Sequence, residues 1–321
     1  MPVAHVPAAA TPLRTHPALA GLKLAEQTLN RIVVGKSSEV RLALTSLLAQ
    51  GHLLLEDLPG VGKTTLAHAL AQVFDLSFHR VQFTSDLLPS DLTGVSIYQR
   101  EAQKFEFHPG PLFTQVLLAD ELNRGSPKTQ SALLEAMAEG TVTVDGITRE
   151  LPQPFFVIAT QNPAEQVGTF ALPESQLDRF LMSISMGYPD PKAERELLRG
   201  EDRRELLKAL KSSLPASQLQ ALQAQVPQIT VSDHLLDYLQ RLIAASRDPA
   251  RFRVGLSPRA GLSLLRAARA YALLADRDYV RPEDLKAVFV ACTAHRLVSR
   301  EAGGDLRAES ARLLKDVVAV Q

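Results

Sequence analysis

The stretch of residues 56–65, EDLPGVGKTT, has the composition and spacing of a loop that binds nucleotide phosphates. In the general pattern, G-x-x-x-x-G-K-[ST], backbone N–H groups surround the phosphates, the lysine reaches them and the hydroxyl binds Mg²⁺. Gly62, Lys63 and Thr64 fulfil the end of this pattern, whereas Asp57 stands where the first glycine is expected. Because Asp57 lies before the PGVGKT curl, we expect nucleotide binding to be retained.

The surroundings of the loop support this interpretation. The apolar run HLLLE precedes it and the helical pattern TTLAHALAQVF follows it, so the helix N-terminus points at the phosphates. Gly60 and Gly62 allow the backbone to curl without Cβ clashes. The predicted nucleotide-binding residues are Pro59, Gly60, Val61, Gly62, Lys63, Thr64 and Thr65.

A second stretch, VLLADELNRG, places Asp120 and Glu121 after a buried strand. In phosphoryl transfer, an acid at this position holds Mg²⁺ through water, and a neighbouring carboxylate can polarise the attacking water. The sequence therefore predicts ATP and Mg²⁺ as cofactors, Asp120 and Thr64 as metal ligands, and Glu121 as the catalytic base. The string DLTG at 91–94 resembles a GTPase motif, but no N-K-x-D motif follows it and no apolar strand precedes it.

The elements that must position these residues are visible as short apolar runs separated by helical patterns. Such alternation predicts a parallel sheet covered by helices on both faces, which is an α/β fold. The extra run before the Asp-Glu pair implies that a strand is inserted between the two motif strands. The runs are at 52–56, 78–83, 115–120, 155–160 and 182–187.

Two segments depart from simple alternation, and a third differs in composition. Residues 141–151 alternate around Asp145-Gly146, which predicts a β-hairpin, and residues 86–113 predict an inserted helix and strand. After the Pro-Asp-Pro turn at 189–191 the patterns are helical. We therefore expect three parts: a tail at 1–20, an αβα nucleotide-binding domain at 21–188 and an all-α domain at 189–321.

The composition argues against several other classes of protein. The 321 residues carry 35 basic and 35 acidic side chains and no Trp, so nucleic acid is an unfavoured partner. The single cysteine cannot form an internal disulfide, and the histidines lack zinc-site spacing. No run of 18 apolar residues and no signal-peptide pattern is present. These features predict a cytoplasmic protein without a transmembrane segment.

With these motifs in hand, the chain resembles the MoxR family of AAA+ ATPases over about residues 25–300. The strings that carry the resemblance are HLLLEDLPGVGKTTLA, ADELNRGSPKTQSALLEAMAEGTVTVDG, FFVIATQNP, LPESQLDRF and LSPRA. The resemblance implies a P-loop NTPase αβα sandwich with a five-stranded parallel sheet and a C-terminal helical lid. It also implies a homo-oligomer, usually a hexameric ring with ATP at the subunit interfaces.

The resemblance assigns further site residues by position. Asn162 matches the residue called sensor 1, near the γ-phosphate and the attacking water. Arg179 matches the arginine finger that acts in trans on a neighbour's site, and Arg259 matches sensor 2, on the lid above the nucleotide. Asn123 and Arg124 lie where a subunit contact is plausible.

The function that the resemblance implies is a Mg²⁺-dependent, ATP-hydrolysing motor with chaperone-like activity. Such motors remodel or mature partner proteins that commonly contain a von Willebrand factor A domain, and no such domain is visible in this chain. Two alternatives stay open, a nucleic-acid remodelling motor and a metal-insertion motor like the AAA+ subunit of magnesium chelatase.

Overall fold

The computed structural model describes residues 18–162, 168–200, 203–300 and 303–317, so most of the tail expected at 1–20 lies outside the described residues. In chain order the helices are α1 (Ala18–Ile32), α2 (Ser37–Leu48), α3 (Lys63–Val73), α4 (Pro89–Thr93), α5 (Pro127–Glu139), α6 (Glu174–Leu177), α7 (Pro191–Arg199), α8 (Arg203–Lys208), α9 (Ala216–Gln225), α10 (Asp233–Ala245), α11 (Pro258–Leu274), α12 (Pro282–Thr293) and α13 (Leu306–Asp316). The strands are β1 (His52–Glu56), β2 (Phe78–Gln82), β3 (Gly94–Gln99), β4 (Lys104–Pro109), β5 (Val116–Asp120), β6 (Thr141–Val144), β7 (Ile147–Glu150), β8 (Phe156–Gln161), β9 (Phe180–Ile184), β10 (Phe252–Val254) and β11 (Val298–Ser299).

The centre of the fold is a five-stranded sheet in the order β2-β5-β8-β1-β9. All neighbouring strands in it are parallel, which confirms the predicted fold class. A strand does separate the two motif strands β1 and β5, but it is β8, whereas β2 lies at the outer edge. The reason is polarity, because β2 has exposed polar residues that an edge strand tolerates, and β8 is almost wholly buried.

The last strand of the sheet begins earlier than its apolar pattern indicates. The sequence places it at 182–187, and the structure places it at Phe180–Ile184, where every residue is buried. Residues 185–190 instead leave the sheet and lead into α7. This shift puts the end of β9 directly beside the start of the phosphate loop.

Both faces of the sheet are covered. In β1, Leu53 and Leu55 belong to a core cluster with buried residues of α1, α2, α3, α11 and α12. Leu54, between them, belongs to a second cluster that includes Leu133 and Leu134 of α5. Side chains of a strand alternate between faces, so each strand contributes to both layers of the sandwich.

Two antiparallel hairpins project from this core. Strands β6 and β7 pair around the Asp145-Gly146 turn, in which Asp145 has a φ of 53° and Gly146 a φ of 74°. Strands β3 and β4 pair after the short helix α4, within the long segment 86–113. Each hairpin is a separate two-stranded sheet and adds no strand to the five-stranded sheet.

The region after β9 is mainly helical, from α7 to α13. It also contains one short antiparallel pair, β10 with β11, which falls outside the all-helical pattern of its sequence. None of the helices in the described ranges combines the length and apolar character that crossing a bilayer would require.

Several helix starts repeat one sequence device, a capping residue followed by proline. Ser126, Asp190 and Ser257 each accept a backbone N–H from the first turn of the helix that follows, and Pro127, Pro191 and Pro258 open these helices. The cap satisfies an orphan N–H, and proline lacks an N–H that would need a partner. These caps fix where α5, α7 and α11 begin.

The stability of the fold should depend on pH because two histidines, His52 and His295, are buried. His52 accepts the N–H of Val157 at Nδ1 and donates from Nε2 to the carbonyl of Met137, each at 3.1 Å. Burial lowers the pKa of His52 from 6.5 to about 4 and that of His295 to about 3. Both side chains are therefore neutral in the folded protein.

The unfolded histidines bind protons below pH 6.5, whereas the folded ones do not until the lowered pKa is reached. Stability should therefore fall as the pH drops through this window, by about 2–3 kcal/mol for His52 at a pH of roughly 4.5. Urea unfolding at several pH values measures this slope. A His52→Gln variant, although less stable at neutral pH, should show a shallower slope than wild type, and an unchanged slope would contradict the assignment.

Candidate functional site

A cleft of about 380 Å³ lies at the carboxyl ends of β1, β5 and β8, against the N-terminus of α3. Ends of parallel strands meeting a helix N-terminus form the usual place for an anionic ligand in such sheets. The cleft brings together most of the residues predicted from the two motifs. Its lining comprises Pro59, Gly60, Gly62, Lys63, Thr64, Thr65, Arg80, Gln82, Asp120, Glu121 and Asn162.

The phosphate loop has the backbone shape that its glycines allow. Gly60 and Gly62 have φ values of 84° and 93°. A Cβ at Gly60 would contact nothing within 4 Å, so the backbone conformation and not the available space requires glycine there. Lys63 is the first residue of α3, and its Nζ donates to the backbone carbonyl of Asp57 at 2.9 Å.

Asp120 ends β5 with both carboxylate oxygens engaged. Oδ1 accepts the hydroxyl of Thr160 at 2.6 Å, and Oδ2 accepts Nη2 of Arg80 at 2.7 Å. Together with the hydroxyl of Thr64, this carboxylate offers the cleft two oxygen donors. Oxygen donors from one or two side chains, completed by phosphates and water, are what Mg²⁺ prefers, so the residues present fit the predicted metal.

Glu121 follows Asp120 in a left-handed backbone conformation, with a φ of 54°. A non-glycine residue in this region is strained and commonly marks a functional position. The surrounding structure fixes it, because its N–H donates to Oγ1 of Thr160 at 2.9 Å. Its Oε2 accepts Nε2 of Gln82 at 2.8 Å and lies 3.0 Å from Nε of Arg124.

Three of these partners were not among the predicted site residues: Arg80, Gln82 and Thr160. Gln82 is the register partner of Asp120, and Arg80 lies two residues earlier on the same face of β2. Polar residues spaced by two in the run FHRVQF are the signal that could have indicated them. Thr160 is a buried hydroxyl in the otherwise apolar run FFVIAT.

An apolar pocket of about 190 Å³ adjoins the cleft and shares Gly60, Gly62 and Thr65 with it. The predicted residue Val61 lines this pocket and not the cleft. The pocket is formed where the α1–α2 connection meets the segment before α7. Its other lining residues are Ile32, Val33, Val34, Lys36, Pro189 and Leu197.

Arg179 and Arg259 lie together, but away from the chain's own cleft. Both line a cavity of about 210 Å³ that also contains Arg266 and Arg296. His52, the first residue of β1, lines it too, whereas the phosphate loop follows the last residue of that strand. Five residues of strand separate the two sites by roughly 13 Å, which is beyond the reach of an arginine side chain.

This second cavity is strongly cationic. Burial lowers the pKa of Arg266, and the neighbouring charges of Arg296 and Arg259 lower it further. Nε of Arg296 pairs with Asp178 at 2.7 Å, and Nη1 of Arg179 donates to the carbonyl of Leu134 at 3.0 Å. Clustered arginines facing one cavity are suited to an anion that enters from outside the chain.

Comparison with known proteins agrees with this geometry. Residues 52–182 match the model of the ATPase family associated with various cellular activities (AAA), and residues 244–316 match the AAA lid domain. YeaC of Bacillus subtilis is 47% identical over 85% of this chain and 86% of its own length. Chaperone MoxR1 of Mycobacterium tuberculosis is 42% identical over 84% of this chain and 73% of its own.

A solved structure is similar over nearly the whole chain. The crystal structure of a candidate ATPase from Cytophaga hutchinsonii is 36% identical, with a TM-score of 0.86, and the match covers 96% of this chain and 97% of that one. The sheet order, the helical lid region and these similarities lead to one conclusion. The chain belongs to the MoxR family of AAA+ ATPases.

Proposed function

We propose that the chain binds ATP with Mg²⁺ and hydrolyses it to ADP and phosphate. The observation that carries this proposal is the single cleft in which the phosphate loop, Asp120 and Glu121 converge. The predicted positions Lys63, Asp120, Glu121 and Asn162 come from three separate segments of the chain, and all four line that cleft. Membership of the AAA+ family supports the same activity.

In this proposal the loop and α3 bind the phosphates. Backbone N–H groups at the N-terminus of α3 face the cleft, and Lys63 adds a charge that can leave its carbonyl partner for a phosphate oxygen. Thr64 and Asp120 would hold Mg²⁺, which when bound neutralises charge on the phosphates. The apolar pocket beside the loop suits the flat face of the adenine base.

Glu121 is the proposed base that orients the attacking water and accepts its proton. Its hydrogen bond from Gln82 and its ion pair with Arg124 hold the carboxylate at the cleft, so both neighbours position it. Arg124 thus contacts its own subunit's base, in addition to any role at a subunit interface. Asn162, at the end of β8, lines the cleft where it could orient the γ-phosphate or the water.

A homo-oligomeric ring, hexameric by family resemblance, completes the site in this proposal. Arg179 and Arg259 line a different cavity from their own chain's cleft, which supports a role at the nucleotide of a neighbouring copy. Hydrolysis spreads charge over the γ-phosphoryl oxygens, and arginines supplied in trans stabilise it. We therefore extend the expected trans role from Arg179 to Arg259.

The cellular role that we propose is chaperone-like remodelling or maturation of partner proteins in the cytoplasm. One relative is itself named a chaperone, and the shared family supports the extension to this chain. A protein with a von Willebrand factor A domain is the proposed partner. The equal counts of acidic and basic side chains give no support to a nucleic-acid motor.

Lys63→Ala tests the nucleotide site directly. Removing the charge that the loop aims at the phosphates should weaken ATP binding about 100-fold or more, near 2.7 kcal/mol. Isothermal titration calorimetry with Mg²⁺ present measures it. Lys128→Ala is the matched control, because Lys128 also lies in the first turn of a helix, α5, but does not line the cleft.

If Lys63→Ala binds ATP within about threefold of wild type, the loop assignment is wrong. A comparable loss in Lys128→Ala would instead indicate a general effect of removing a lysine from a helix start. The rate of phosphate release by wild type, with and without Mg²⁺, tests the hydrolysis and its metal dependence.

A further inference from the structure

Asp57, the residue that replaces the first glycine of the loop pattern, is buried, with a relative exposure of 6%. Its Oδ1 accepts the N–H of Leu58 at 3.0 Å. Its Oδ2 accepts the N–H of Gly187 at 2.8 Å, the hydroxyl of Ser185 at 3.3 Å and the N–H of Met186. Only the first of these contacts lies within the loop, so the carboxylate mainly fixes the loop to residues 185–187.

Residues 185–190, the connecting segment, join β9 to α7 and so link the sheet to the helical C-terminal region. The segment is held from a second side, because Nζ of Lys36 donates to the carbonyl of Tyr188 at 2.8 Å. Gly187 has a φ of 58°, and a Cβ there would contact nothing within 4 Å. The positive φ, and not a lack of space, therefore favours glycine there, and the N–H of this residue is held by Asp57.

The preceding acid, Glu56, makes a parallel connection. Its Oε2 accepts the hydroxyl of Ser183 and Nη2 of Arg307, the latter at 3.2 Å. Arg307 lies in the first turn of α13 and also donates to the carbonyl of Ser183 at 3.2 Å. The two acids at the start of the loop thus connect it to the segment before α7 and to the first turn of α13.

A direct role for Asp57 in nucleotide binding does not fit this geometry. The side chain does not line the cleft, and its carboxylate would repel phosphates if it did. Its backbone carbonyl, however, accepts the hydrogen bond from Nζ of Lys63 at 2.9 Å. A shift of Asp57 therefore moves both the start of the loop and the partner of the phosphate-binding lysine.

We propose that Asp57 is a positioning residue that couples the phosphate loop to the connecting segment, so that nucleotide binding is transmitted to the helical region. This inference rests on the proposed nucleotide binding. It also explains why an acid at this position is compatible with a working loop. The glycine of the general pattern permits the curl, whereas Asp57 permits it and adds three contacts outside the loop.

Hydrogen exchange with and without ADP and Mg²⁺, on wild type and Asp57→Gly, tests the coupling. In wild type, ADP should slow exchange in the loop and also in α7 and the first turn of α13. In Asp57→Gly, which restores the general pattern, ADP should still protect the loop, while the change in α7 is lost. The amides of α7 do not bond to Asp57, so losing its hydrogen bonds alone does not alter them.

Asp190→Gly is the matched control. Asp190 is a carboxylate in the same connecting segment that accepts the N–H groups of Lys192 and Ala193, but it does not contact the loop. Its variant should exchange faster in α7 yet keep the ADP response. If Asp57→Gly does not fold, Asp57→Asn replaces it. The amide nitrogen of the asparagine cannot accept the hydrogen bonds that Oδ2 of Asp57 accepts, so the ADP response of α7 should be reduced.

The outcomes separate the two proposals. An equal ADP response of α7 in wild type and in the Asp57 variants overturns the coupling while nucleotide binding stands. A wild-type loop that ADP does not protect overturns the nucleotide site itself. Protection of the wild-type loop without any response in α7 also contradicts the coupling.

Discussion

Glu121→Gln is expected to bind ATP with nearly unchanged affinity and to lose about 100-fold or more of its hydrolysis rate. The amide keeps the shape of the side chain and leaves Asp120 free to hold the metal. It cannot accept a proton from water, and it would receive the N–H of Gln82 on its oxygen alone. Binding and chemistry should therefore separate in this one variant.

Calorimetry for binding and phosphate release for turnover measure the two effects. Glu135→Gln is the control, because Glu135 is an exposed acid on α5 that does not line the cleft. Turnover at the wild-type rate in Glu121→Gln would show that another residue is the catalytic base. Weakened binding instead would indicate that Glu121 shapes the nucleotide pocket.

The same variant offers access to the client protein. A form that binds ATP without hydrolysing it should hold its partner longer than wild type does. A pull-down with Glu121→Gln, compared with Lys63→Ala, would then show which partners require bound ATP. Recovery of a von Willebrand factor A domain protein only with Glu121→Gln would support the proposed partner.

How much of the site the sequence predicts depends on how local each part is. Gly60, Gly62, Lys63 and Thr64 are neighbours in the chain, so the loop is visible as a string and the cleft confirms their proximity. Thr160 bonds to both acids of the 120–121 pair, yet it comes from a strand 40 residues away. Such contacts depend on strand order, which no single stretch of sequence specifies.

The edge position of β2 shows the same limit in another form. The sequence of β2 does not show which strand it pairs with. Its pairing with β5 places Arg80 and Gln82 beside Asp120 and Glu121. For Arg259, the resemblance implies a place on the lid above the bound nucleotide, and motif order alone does not say whether that nucleotide belongs to the same chain. The packing of α11 against α2 and β9 instead carries it to the amino end of β1.

Arg179→Ala should bind ATP within about threefold of wild type and lose about 1,000-fold in hydrolysis rate. The side chain does not line its own chain's cleft, so its removal leaves the loop intact. It does remove a charge that a neighbouring copy would use in the transition state. Phosphate release together with calorimetry checks both parts.

Mixing Arg179→Ala with Lys63→Ala subunits then tests whether the site is shared. A Lys63→Ala subunit offers an intact Arg179 to a neighbour whose loop is sound, which neither uniform ring can do. In head-to-tail rings mixed in equal amounts, about a quarter of the interfaces have this pairing, so activity should recover to about that fraction. A Lys63→Ala/Arg179→Ala double variant in the mixture is the control and should restore nothing. Absence of recovery, with mixed rings shown by native mass spectrometry, would leave Arg179 a structural charge whose role is its 3.0 Å bond to the carbonyl of Leu134.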